Sequence, residues 1–113
     1  TGHSVFVCDE NTYLASSKPL AKEIVGNKIT KAVEELLKRK KTLVVNRSEG
    51  GAPIEILSGD RFNFANQLFM PVTAAGDEVI GAIILADKSK DNPITSSDVS
   101  LATLTAEFIA AHF

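Results

Sequence analysis

The chain predicts an α+β domain, a mainly antiparallel sheet with helices packed on it. Short apolar runs bounded by turn residues open the chain and recur through its middle. Amphipathic helical patterns interrupt and close them. The stretch from Phe69 to Leu85 reads as a β-hairpin: an apolar strand carrying Pro71, a Gly76-Asp77 turn, and a second apolar strand with the single internal glycine Gly81.

Ser4 to Asp9 is apolar on both faces, the pattern of a buried strand. Asp9, Glu10 and Asn11 supply turn residues, and Thr12 to Ala15 reads as the returning strand. Ser17 is placed to cap a short helix with Pro19 near its first turn, where a missing N–H costs little, and Gly26 stops it. A second helix starts after Thr30. Its positions Ile29, Val33, Leu36 and Leu37 form one stripe, with Glu34–Lys38 and Glu35–Arg39 as i,i+4 pairs outside. The cluster Lys38-Arg39-Lys40-Lys41 falls where the helix dipole favours cations. Thr42 to Asn46 is a strand, residues 47–53 a flexible loop, and Ile54 to Leu57 a further short strand. In the alternating run Arg61 to Phe64, Phe62 and Phe64 share a face. After the hairpin, Thr95-Ser96-Ser97-Asp98 has capping-box spacing, with Asp98 in place of Glu or Gln. The helix it opens carries Val99, Leu101, Ala102, Leu104, Phe108 and Ile109, an apolar surface broader than one seam.

At 113 residues there is room for one core, and 44% hydrophobic with 23% charged residues is a globular balance. The net charge of −2 gives no electrostatic reason to expect nucleic-acid binding by this segment. No apolar run approaches the roughly 20 residues that span a bilayer, and no basic leader opens the chain. The lone Cys8 excludes an internal disulfide and fits a reducing cytosol, so a cytoplasmic location is expected. The strand-like run at Ser4 lacks a preceding methionine, which reads as a single domain, residues 1–113, taken from a longer protein.

Catalysis finds no residues to use. A nucleophile–base arrangement needs Ser or Cys beside His, yet His3 and His112 lie near the chain ends and Cys8 lies inside an apolar strand, where its thiolate is disfavoured. One cysteine and two scattered histidines form no metal-ligand spacing, and Gly50-Gly51 lacks the lysine of a phosphate loop. No enzyme activity, cofactor or metal is expected. Binding is a better fit: the connection from Arg47 to Asn66 mixes polar groups with Phe62 and Phe64, as a small pocket does. Self-association is a third role, because one sheet uses only one stripe of the closing helix.

Met70-Pro71-Val72, Gly76-Asp77 and Ile80-Gly81, with the closing Ser97-Asp98, Leu101 and Leu104, resemble the GAF family. The opening Gly2-His3-Ser4-Val5-Phe6-Val7-Cys8-Asp9, then Tyr13-Leu14-Ala15 and Asn27-Lys28-Ile29, is similar to the C-terminal domain of the stage V sporulation protein T family, AbrB-type transcriptional regulators of spore-forming bacteria. The resemblance covers nearly the whole chain and is loose through residues 46–66. It implies a GAF-like fold, a central six-stranded antiparallel sheet flanked by helices. It also implies an upstream AbrB-type DNA-binding domain and a preceding helix, both absent from this chain, so that DNA is bound only through that other domain. The function it implies is non-catalytic: sensing of an unidentified small-molecule effector, and homo-oligomer assembly through terminal helices. Candidate ligand-lining residues are Arg61, Phe62, Phe64 and Asn66, with Val7, Asp9 and Leu68 from neighbouring strands. Candidate interface residues are Leu101, Leu104, Phe108 and Ile109. The alternative is a pure assembly module, in which Phe62, Phe64, Phe69 and Met70 fill the pocket themselves.

Overall fold

The computed structural model describes residues 3–17, 21–58 and 64–112. Its strands are β1 (Ser4–Cys8), β2 (Tyr13–Ser16), β3 (Leu43–Asn46), β4 (Asn66–Thr73) and β5 (Val79–Asp87), and its helices α1 (Ala21–Ile24), α2 (Lys31–Arg39) and α3 (Ser96–Ala110). The five strands form one antiparallel sheet in the order β2-β1-β5-β4-β3. The α+β class and the hairpin stand as read.

β5 is apolar at almost every position because it is the middle strand and both of its faces are covered. Ala82, Ile84 and Ala86 join one core with Phe6, Cys8, Tyr13, Phe64 and Phe69, under Ile24 of α1 and Val33 and Leu37 of α2. The intervening Ile83 and Leu85 join the other core with Leu68, Met70 and Val72, under Ala102 and Ala106 of α3. The small alanines of α3 let its backbone come close to β4.

Two residues of the hairpin are dictated by its neighbours. Pro71 pairs with Ala82 of β5, but β3 runs alongside β4 only as far as Phe69, so the missing proline N–H faces no partner strand. At Gly81 a Cβ would lie 2.1 Å from the Cys8 carbonyl oxygen, so only glycine permits β1 and β5 to approach there.

The helix caps also follow the residues. Thr30 accepts from the Val33 N–H at 3.2 Å, and Lys40 ends α2 in a left-handed conformation (φ 57°). At α3 the reciprocal capping box between Thr95 and Asp98 is complete. The helix placed between Ser17 and Gly26 is short among the described residues, only Ala21–Ile24.

One expected element is corrected. Residues 54–57 form no strand. Ile56 and Leu57 are both buried, without the alternation of a pleated strand, and the backbone groups of the segment are taken by side chains. Gln67 accepts the Ile54 N–H at 3.0 Å and donates to the Ile54 carbonyl at 2.8 Å. Thr30 donates to the Glu55 carbonyl and Tyr13 to the Ile56 carbonyl, each at 2.7 Å. The described sheet therefore has five strands where the resemblance implied six.

Candidate functional site

A ligand pocket was expected between the sheet and the 47–66 segment, and among the described residues the aromatic side chains there pack on one another. Phe6 packs against Phe64 at a ring separation of 5.6 Å and edge-on to Tyr13 at 6.4 Å. Ile56 and Leu57 close over them. The void beside Leu37, Phe69 and Ala82 is about 10 Å³, the limit for one water. A recess of about 180 Å³ opens beside Asn27, Lys28, Leu57 and Ser58, and wider, open recesses of about 580 and 590 Å³ lie beside Leu37 and Val79 and beside Met70 and Thr103.

The described residues of the expected ligand lining do not assemble at one place. Phe64 is core on the aromatic face. Leu68 is core on the opposite face, and Val7 is half-buried beside it there. Asn66 is fully buried as a loop clamp: its Oδ1 accepts the Arg47 N–H at 3.2 Å and its Nδ2 donates to the Ser89 and Asn92 carbonyls, each at 3.0 Å. Asp9 closes the β1–β2 turn, accepting the N–H groups of Asn11 at 2.7 Å and Thr12 at 2.8 Å. Those backbone donors, that of Thr12 foremost, hold its carboxyl below the usual carboxylate range. Arg61 and Phe62 lie outside the described residues.

Three polar residues that the sequence reading left without a role prove central. Gln67 and Asn46 each act as an artificial strand. Gln67 clips Ile54, and Asn46 clips Ile94 by accepting its N–H at 2.8 Å and donating to its carbonyl at 3.1 Å. His3 bridges Asp87 and Asp98. The available signal was Asn66-Gln67 at the head of an otherwise apolar strand, since a buried amide is retained only where every partner is supplied.

Cys8 offers no reactive thiol. Burial pushes it up to about 11, so it is a neutral thiol at physiological pH. Among the described residues no group of His, Cys, Asp and Glu is arranged to hold a metal ion, and no helix is long and apolar enough to cross a membrane.

The outer face of α3 is different in character. Leu101, Leu104 and Phe108 are 50%, 65% and 67% exposed. Their i, i+3, i+7 spacing lines them up on the side of α3 turned away from Ala102 and Ala106. Ile109, expected with them, is instead half-buried against the core beneath α3. Ser97, Thr105 and Ala111 border the stripe and the exposed Glu107 flanks it one turn from Leu104; His112 packs on Phe108 at 4.6 Å.

A five-stranded antiparallel sheet of this topology, with helices on both faces, defines an α+β domain of GAF-like fold. Solved structures agree on the fold. The GAF domain of an Acinetobacter phosphoenolpyruvate-protein phosphotransferase superposes with a TM-score of 0.67 at 16% identity, covering 96% of this chain and 66% of that one. A type II free methionine-R-sulfoxide reductase from Thermoplasma acidophilum gives 0.68 at 12% identity, over 96% and 77%. More particularly, the chain belongs to the family described as stage V sporulation protein T C-terminal, transcription factor, whose model matches residues 1–113. Stage V sporulation protein T of Bacillus subtilis (strain 168) is 24% identical over 109 residues, covering 96% of this chain. The chain spans 58% of that relative's length, less than two thirds of it.

Proposed function

We propose that this chain is a non-catalytic, cytoplasmic regulatory domain of a sporulation transcription factor, working by self-association through the outer face of α3. The observation that carries the reading is the Leu101, Leu104, Phe108 stripe. Its three side chains are large and apolar and stand at least half exposed, so two copies can bury the same stripe against each other, with Glu107 left at its edge. DNA contact belongs, on this reading, to a separate AbrB-type domain.

Light scattering on the eluting chain tests it. The parent should run as a dimer or larger, while Leu104→Glu and Phe108→Glu should run as folded monomers with unchanged circular dichroism. A parent that is monomeric at every concentration overturns the reading, as do variants that associate like the parent.

A second reading, small-molecule sensing, is favoured by one observation. The 54–57 segment is held over the aromatic face by side-chain hydrogen bonds and not by strand pairing. The recess beside Leu57 is smaller than the ~300 Å³ at which ligand pockets begin, so an effector entering at that place gains room by displacing that segment. Thermal melting against a library of bacterial metabolites and nucleotides decides this. A specific binder at 100 times its dissociation constant adds about 2.7 kcal/mol, and no shift from any compound leaves assembly as the function.

A further inference from the structure

A buried polar cluster centred on His3 lies apart from both surfaces. His3 stands just ahead of β1 with its side chain 1% exposed. Its Nδ1 is 3.2 Å from Asp87 Oδ2, at the end of β5, and its Nε2 is 3.1 Å from Asp98 Oδ2, in the first turn of α3. Both carboxylates have other partners. Asp87 shapes the loop after β5, its Oδ1 accepting the Ser89 N–H at 2.9 Å and its Oδ2 accepting Asn92 Nδ2 at 2.6 Å. Asp98 Oδ2 closes the cap of α3 by accepting the Thr95 N–H at 2.9 Å and the Thr95 hydroxyl at 3.0 Å. The His3 ring thus meets the same oxygen that caps the helix. Each ring nitrogen of His3 faces a carboxylate oxygen, so the ring spans the two aspartates. Groups buried in this way depend on one another, because removing one member leaves the others short of partners.

We propose that His3 is a positioning residue that couples the entry of the chain into β1 to the cap of α3. Loosening the start of β1 then loosens the first turn of α3. The route is short: His3 backbone to its ring, ring to Asp98 Oδ2, and Oδ2 to the Thr95 N–H. The inference does not rest on what covers the outer face of α3. It gives the domain a mechanical link between its first strand and its last helix, which are more than 90 residues apart in the chain (His3 and Asp98 differ by 95).

A separate hold on β1 lets the two ends be distinguished. The Val5 N–H donates to Ser17 Oγ at 2.9 Å and the Ser17 N–H donates to the Val5 carbonyl at 2.8 Å, neither bond involving a residue of α3. Residue-resolved amide exchange of the chain by NMR, on Ser17→Ala with and without a His3 substitution, is the test. Ser17→Ala alone should speed exchange at the Asp98 and Val99 amides by about threefold or more, and should add nothing there in a His3→Ala background. His3→Asn reaches Asp87 but not Asp98, so it should decouple like alanine, and it replaces the alanine variant if that fails to fold. His3→Gln reaches Asp98 and should restore the response. Changes confined to β1 and β2, equal effects in coupled and decoupled backgrounds, or recovery with Asn and not Gln would each overturn the proposal.

Discussion

Phe64 is the residue whose meaning changes most between the sequence and the structure. As a pocket wall it would be replaceable; as a ring stacked on Phe6 and sealed by Ile56 and Leu57, it supports the whole aromatic core. Phe64→Ala should therefore cost about 3–5 kcal/mol, read as a lower urea midpoint with unchanged slope. Cys8 makes a second residue-scale prediction. With its thiol pushed up to about 11 by burial, alkylation at pH 8 should be at least ~100-fold slower in the folded chain than in urea. Asp98 sets a pH dependence. Burial alone would raise its carboxyl, but the Thr95 amide and hydroxyl and the His3 ring outweigh it and hold the carboxyl below the usual range. Because the folded value lies under the unfolded one, Asp98 stabilises the fold at pH above ~4 and loses that contribution as acid protonates it. Asp98→Asn should lower stability at pH 7 and flatten the acid limb of a stability-against-pH curve. An unchanged acid limb would move its origin to other carboxylates.

At the scale of the element, the hairpin is held by strand pairing and close backbone approach, and the 54–57 segment by side chains. Gly81→Ala forces a methyl into the Cys8 carbonyl from the adjacent strand, where neither backbone can yield. It should destabilise by about 3 kcal/mol or more, shown by a lower melting temperature and by β1 amides that exchange early. The 54–57 segment has no ladder of its own and hangs on Gln67, Thr30 and Tyr13. Gln67→Ala removes both bonds to Ile54. It should open this segment to limited proteolysis while β4 and β5 stay protected, and cleavage spread evenly along the chain would show that Gln67 supports the sheet itself. The 54–57 run looks like a strand because Ile54, Ile56 and Leu57 are apolar. Nothing in those four residues reveals that distant side chains take their backbone groups.

For the whole molecule the useful contrast is between its two faces. On one face Phe6, Tyr13 and Phe64 pack into a core, while on the other α3 leaves Leu101, Leu104 and Phe108 to solvent. An assembly that covers this stripe makes stability depend on protein concentration. The parent's melting temperature should rise with concentration, and that of Leu104→Glu should not. Much of this architecture is legible along the chain. Apolar alternation, Pro71, the Gly76-Asp77 turn, Gly81 and the Thr30 and Thr95 caps are local signals, each acting within a few residues of itself. They determined the class, the hairpin, α2, α3 and the breadth of the apolar surface on α3. Which residues would line a site was not local. Val7 and Leu68 went to one face by strand parity and register, while Phe64, ahead of β4, packs on the other. His3, Asn46 and Gln67 acquired their roles only from partners far along the chain. Turns and caps were thus determined by the sequence alone, whereas the filling of the aromatic face and the joining of β1 to α3 were decided by tertiary structure, because a buried hydrogen bond or ion pair exists only once folding brings both partners together.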